Sequence, residues 1–316
     1  MGLRPIQTNE NLRRCHPRES GGPLLVPSRM DSRFRGNDVI FENAKRGVTR
    51  PGEDSGKQIT ADGVSRIDSF MPHISATIVA CNEAGRIARS LRSLACADEI
   101  VLVDSGSTDE TATIAAGLGA RVIKEPWLGY ATQKNFATGQ ARHDWILSLD
   151  ADEELNSLAQ AEIGAWKRLQ PTADAYRFAR RARYLGRWIL HGGWYPDYKV
   201  RLFDRRKAQW EGKYVHESVK VNGRVATMPG EILHYTCDTL EEHRQRIELY
   251  TDLAAQEMRE RGQRVNFLRR RFDPLWVFLH TYLLRLGVLD GHQGFLIAAM
   301  AARYVRRKYE KLGRGR

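Results

Sequence analysis

Trp145-Ile-Leu-Ser-Leu-Asp150-Ala-Asp152-Glu153-Glu154 is an apolar run that stops abruptly in four carboxylates spread over five residues. A buried strand ending this way carries its acids to the carboxyl edge of an open sheet, where α/β proteins bind ligands. Hard carboxylate oxygens at such an edge suit Mg²⁺ or Mn²⁺, which in turn hold phosphate oxygens. The plain alternative is a solvated acidic turn capping the next helix, and these ten residues alone do not choose between the two.

The flanking text does more to decide. Residues 74–81 and 99–103 are also continuous small or β-branched apolar runs, each followed by polar turn residues and then a helical period, which predicts βαβ units. The second run ends in Asp104 and the first in Cys81-Asn82-Glu83, so three strands place polar groups along one edge. Residues 120–124 read as a further strand, and 131–140 and 157–169 as helices. Ser107-Thr108-Asp109 is placed to cap a helix beginning at Glu110. None of the three turns contains G-x-G-x-x-G or G-x-x-x-x-G-K-S/T, which removes the main support for a dinucleotide fold or a P-loop.

After about residue 175 the pattern changes to short strands at 176–180, 199–203, 218–221 and 231–235, then a long polar helix over 240–261. Leu275, Trp276, Phe278, Leu279, Tyr282, Leu283 and Leu286 fall on apolar turns, and 295–300 lead into Arg303, Arg306, Arg307, Lys308 and Lys311. Apolar helices with basic flanks suit an interfacial position.

The 316 residues carry 50 Lys plus Arg against 38 Asp plus Glu. Of the resulting +12, residues 1–70 contribute +3 and residues 259–316 contribute +10, so the body between is close to neutral. A basic end on a neutral body implies a local anionic contact, and without a nucleic-acid module an anionic membrane surface is preferred to nucleic acid. Residues 1–70 show neither hydrophobic period and are broken by Gly21-Gly22-Pro23 and Pro51-Gly52, so they are expected to form a disordered tail, with Met71 as the functional start. No signal-peptide pattern and no apolar span of about 18 residues is present, and four cysteines without paired spacing fit a reducing cytosol.

The order Val79-Ala-Cys-Asn82-Glu83, Val103-Asp104-Ser-Gly-Ser-Thr-Asp109 and Leu149-Asp150-Ala-Asp152 resembles the nucleotide-sugar half of family 2 glycosyltransferases, which have the GT-A fold. Trp194-Tyr-Pro-Asp197, Arg201-Leu-Phe, Val215-His216-Glu217 and Leu289-Asp-Gly291-x-x-Gly294-Phe295 are similar to lipopolysaccharide core biosynthesis glycosyltransferases. Among these the chain resembles β-1,4-glucosyltransferases acting on the inner-core heptose. The resemblance implies an α/β GT-A domain over 71–238, Rossmann-like with a mixed sheet, and amphipathic membrane-proximal helices over 239–316. It further implies that Asn82 and Glu83 lie at the nucleotide, that Asp104 recognises uracil, and that Asp150 and Asp152 hold the ribose-diphosphate and a Mg²⁺ or Mn²⁺ ion. His234 would complete the metal shell and Glu217 would act as the catalytic residue. The partners implied are a UDP-sugar donor and a lipopolysaccharide core or other lipid-linked acceptor, at the cytoplasmic face of the inner membrane.

The chemistry needs these residue types independently. A departing nucleoside diphosphate needs its charge neutralised, which a divalent ion does as a Lewis acid. The acceptor hydroxyl must lose a proton, which calls for one carboxylate on the opposite face, and a single base implies inversion. Glu217 is the first choice for that base and Asp197 the second. The bland readings are a salt bridge for Glu217 and a core histidine for His234. For Arg180, Arg181 and Arg183, which alternate with apolar residues, the default is a solvated strand face. A sugar nucleotidyltransferase would also use paired aspartates but normally has a Gly-rich, Lys-containing loop; a non-catalytic membrane-binding protein would bind no nucleotide.

Overall fold

The computed structural model describes residues 71–212 and 217–314. The expectations for residues 1–70 and for Val215 and His216 fall outside them.

Four strands, β1 (Ile74–Ala80), β2 (Glu99–Asp104), β3 (Arg121–Lys124) and β4 (Trp145–Asp150), form a parallel half-sheet in the order β3-β2-β1-β4. Every residue of β4 is buried, as expected of a strand covered on both faces. In register, Ala80 lies opposite Asp104 and Val79 opposite Asp150, so β1, β2 and β4 finish level with one another. That shared end is the physical basis of the site. Helices α1 (Ile87–Arg92), α2 (Thr111–Gly117) and α3 (Tyr130–Gln140) follow β1, β2 and β3. Asp109, one of the residues placed to cap this helix, accepts the Thr111 amide at 3.0 Å, and α2 begins at Thr111, one residue later than expected.

Beyond β4 the sheet reverses direction. After β5 (Glu153–Leu155) and α4 (Ser157–Trp166), β6 (Ala175–Tyr184) and β8 (Asp197–Asp204) run antiparallel to each other, with β8 antiparallel to β4. Strand β11 (Val225–Cys237) lies parallel to β6 and antiparallel to β5; the two-residue β7 (Arg187–Trp188) pairs with β6. A separate ribbon joins β9 (Ala208–Glu211) to β10 (Ser218–Val221). This mixed sheet, parallel in its N-terminal half, matches the GT-A expectation. Trp145, Trp166 and Tyr176 close the core beside α4 with edge-on ring contacts 4.8 and 5.5 Å between centroids.

Strands β6, β8 and β11 are much longer than the sequence suggested, and the default for Arg180 is overturned. Arg180 is 2% exposed because Glu153 and Asp197 bind it inside the sheet.

The chain ends in α5 (Leu240–Glu260), α6 (Phe267–Leu279), a π-helical turn (His280–Leu284), a 3-10 turn (Gly287–Asp290) and α7 (Gly291–Arg314). Thr239 caps α5 and Asn266 caps α6 through the amides of Glu242 and Arg269. At Gly294 an added Cβ would stand 1.8 Å from the Gly287 carbonyl oxygen, so only glycine lets α7 pack against the 3-10 turn. The basic run 303–311 does not face outward as a block: Arg303, Arg307 and Lys311 pair with Glu248 of α5 at 3.8, 2.8 and 3.2 Å. Among the described residues no helix is long and apolar enough to cross a membrane.

Gly230 has φ +90° within β11, and a Cβ there would meet the Ala159 backbone nitrogen at 2.4 Å. Gly230→Ala is expected to cost about 2 kcal/mol or more. Gly164→Ala, in α4 with open space around it, should gain about 0.5–1 kcal/mol. Urea unfolding of both variants checks the pair, and equal midpoints would contradict the packing of β11 on α4.

Candidate active site

An open pocket of about 500 Å³ lies at the shared end of β1, β2 and β4. Glu83, Ser105, Asp150 and Asp152 line it from the strand ends, and Trp127, Tyr130 and Lys134 from α3 and the loop before it. Buried Gln133 shapes that loop by bonding the Leu128 amide and the Glu125 carbonyl while also reaching Ser105 Oγ.

Two predicted nucleotide residues build the turns rather than the pocket wall. Asn82, at φ +56°, accepts the Thr108 amide at 2.8 Å, and its own amide donates to Ser107 Oγ at 3.0 Å. Asp104 accepts the Ser107 amide at 3.1 Å and also the Ser107 hydroxyl. These bonds stitch the turn after β1 to the turn after β2, directly behind Glu83 and Ser105.

Asp150 is engaged on both oxygens. Lys134 Nζ is 2.8 Å from Oδ1 and Arg201 2.7 Å from Oδ2. Lys134 also bonds Glu217 Oε1 at 2.9 Å, which brings the predicted base to the pocket lysine. Arg201 continues to Glu153 at 2.8 Å, Glu153 to Arg180 at 3.0 Å, and Arg180 to Asp197 at 2.6 Å, where Lys199 adds a contact at 3.2 Å. Trp210 lies under both cations, 4.4 Å from Lys134 Nζ and 5.6 Å from the Arg201 guanidinium carbon. Burial alone would push the Glu153 carboxyl up, but Arg201 and Arg180 outweigh it and hold the group down at about 2. Burial likewise opposes ionisation of Asp197, and Arg180 with Lys199 keeps it below the usual carboxylate range. Asp197 therefore sits clamped between two cations, whereas Glu217 shares one lysine with Asp150.

The predicted metal set of Asp150, Asp152 and His234 is not brought together as three. Among the described residues no three His, Cys, Asp or Glu side chains converge to hold a metal by themselves. Asp150 instead meets Lys134 and Arg201, one on each oxygen. Asp152 and His234 do meet, with Nε2 3.5 Å from Oδ2. Both ring nitrogens of the fully buried His234 lack a hydrogen-bond partner among the described residues. A carboxylate beside a buried imidazole is a donor pair that fits a divalent ion whose remaining ligands come from a diphosphate.

Lys134, Trp127 and Tyr130 were not singled out from sequence, and Arg201 entered only as part of the Arg201-Leu-Phe resemblance, with no role given to it. One signal existed for Lys134, which shares the buried face of α3 with Ala131, Ala137 and Thr138. A lysine on the apolar face of a helix needs an acidic partner.

Residues 75–213 match the model of the glycosyl transferase family 2 domain. An uncharacterized glycosyltransferase of Rickettsia prowazekii is 32% identical over 250 residues, covering 75% of this chain and 86% of that protein. The chain belongs to glycosyltransferase family 2. The lipopolysaccharide core biosynthesis glycosyltransferase LpsC of Rhizobium meliloti is 32% identical over 238 residues, 73% of this chain and 88% of LpsC. Among solved structures, Staphylococcus aureus TarS 1-349 in complex with UDP-GlcNAc aligns over 77% of this chain and 92% of that one, with 15% identity and a TM-score of 0.40.

A carboxylate held near 2 in the folded chain and titrating near 4.5 when unfolded stabilises above about pH 4.5, and that contribution fades as pH falls toward 2. Glu153→Gln leaves Arg180 and Arg201 short of a charge partner, so it should cost about 3–5 kcal/mol at pH 7. The gap to the native chain should shrink steadily between pH 4.5 and 3 in urea titrations. A gap that stays constant over that range would show that Glu153 is not ionised in the network.

Proposed function

We propose that this family 2 glycosyltransferase moves a sugar, glucose in the favoured reading, from a UDP-sugar to a heptose of lipopolysaccharide inner core, with inversion. The reading is carried by the pocket at the aligned ends of β1, β2 and β4, where carboxylates and one buried lysine face the same space. The likeness to LpsC over most of both chains supports the acceptor class. The acceptor is lipid-linked, so the enzyme works as a peripheral protein at the cytoplasmic face of the inner membrane.

Asp152 and His234 would hold a Mg²⁺ or Mn²⁺ ion, which supplies Lewis-acid neutralisation of the departing diphosphate. Lys134, on the pocket wall, adds a positive charge close to the same leaving group. Glu83 and the turns stitched by Asn82 and Asp104 shape the nucleotide end. Glu217 takes the proton from the acceptor hydroxyl, and its bond to Lys134 keeps it aimed until the acceptor arrives. Asp197 is the second choice for this role and the poorer one, because Arg180 and Lys199 occupy both its oxygens.

The test is transfer from UDP-glucose to heptose-containing lipid A core, with the anomeric configuration of the product read by NMR. Glu217→Gln should lower kcat by about 10² or more and leave the donor KM within about twofold. Wild-type turnover in Glu217→Gln, with loss in Asp197→Asn, would move the base to Asp197. No transfer to the core acceptor by the native chain would overturn the acceptor assignment.

A further inference from the structure

Leu268, Phe272, Leu275, Trp276, Leu279 and Leu283 recur at spacings of three and four residues, so they form one ridge along α6 and the π-helical turn that continues it. Each is at least 38% exposed, and Leu268 reaches 61%. The opposite side carries Val277, buried in the cluster formed with Met300, Tyr304 and Val305 of α7. A contiguous run of large apolar side chains in water marks a surface that meets another apolar phase.

The charge around the ridge identifies that phase. Residues 261–289 contain six arginines and one acid, Asp273, and Asp273 is already held by Arg269 at 3.2 Å and the Tyr309 hydroxyl at 2.7 Å. Arg264 and Arg271 are exposed and make no ion pair among the described residues, whereas Arg270 lies on the side of Val277 with its guanidinium against Gly313 of α7. The basic row of α7 differs, since Glu248, Asp252 and Glu310 neutralise much of it. A second copy of this chain docking through the ridge would bring the same arginines against each other, which like-charge repulsion opposes.

We propose that the α6 ridge, rather than the basic run of α7, is the surface that seats the protein on an anionic phospholipid bilayer. The apolar row enters the headgroup–acyl boundary, and Arg264 and Arg271, clear of the α7-packed side, meet lipid phosphates. The ridge is tied to the catalytic half of the chain. Asp290 accepts the amides of Leu190 and His191 at 3.3 and 2.8 Å, and the Gly192 amide donates to the Arg285 carbonyl at 2.8 Å. The loop leading to Asp197 is thereby fixed to the segment that meets lipid, so the acceptor side of the pocket keeps a set position above the bilayer. This deepens the lipid-linked acceptor reading and rests on it for the biological source of the lipid.

The experiment sediments the full chain with vesicles of equal phosphatidylglycerol and phosphatidylcholine, and with phosphatidylcholine alone. The native protein should bind the anionic vesicles with a blue shift in tryptophan emission. Leu275→Asp with Leu279→Asp should weaken that binding about tenfold or more, as should the separate surface variant Arg264→Glu with Arg271→Glu. Arg306→Glu, in α7, should stay within about twofold. UDP titration without vesicles reports the donor site separately: a chain that binds vesicles through the ridge but not UDP supports the surface and overturns the donor reading. Undiminished vesicle binding by both ridge variants overturns the proposal. So does a native dimer that the ridge variants convert to monomer, which would make a second copy the occupant.

Discussion

The chain of buried charges from Lys134 through Asp150, Arg201, Glu153 and Arg180 to Asp197 is the constraint on which the rest of the molecule depends. It runs from α3 across the end of β4 to β8 and β6, so it ties the parallel half of the sheet to the antiparallel half at the level of the pocket. Burying this many ions is costly, and each is tolerated only because it is paired on both sides. Removing any one member leaves a neighbour uncompensated, which makes the network both a brace for the sheet and a strict filter on substitutions near the site.

The same network divides the labour of the acidic cluster after β4. Asp150 is committed to two cations and acts as an internal anchor. Asp152, one turn further on, faces His234 from β11 and stays near the pocket. Glu153 is wholly internal. Four carboxylates that look equivalent in the sequence are thus sorted by what each meets: cations for Asp150 and Glu153, an imidazole for Asp152, and the Tyr235 hydroxyl for Glu154. In the proposed mechanism this sorting leaves Lys134 and the Asp152–His234 pair to meet the diphosphate and Glu217 to meet the acceptor.

The parallel half was legible because its strands are fully buried and therefore read as unbroken apolar runs, each with an acid or amide at its end. The antiparallel half was less so, for a physical reason seen in β6. Arg180, Arg181 and Arg183 alternate with apolar residues as a solvated strand would, yet Arg180 points into the sheet toward carboxylates more than fifteen residues away in sequence. Strand β5 is short and acidic, and β11 contains Pro229 and Gly230, so neither carries a clean period. The site residues at strand ends could be named from sequence, because topology alone brings strand ends together. The roles of Lys134 and Arg201 could not, since their importance comes from the partner each finds across the fold.

In the proposed mechanism a divalent ion and the donor diphosphate would bind at Asp152 and His234. The most direct measurement is Mn²⁺ titration followed by electron paramagnetic resonance in the presence of UDP, on the native chain, Asp152→Asn and His234→Ala. The native chain should bind Mn²⁺ in a UDP-dependent way, and both variants should weaken that binding about tenfold or more, the scale expected when a ligand or its immediate partner is lost. Native Mn²⁺ affinity in Asp152→Asn would contradict this mechanism.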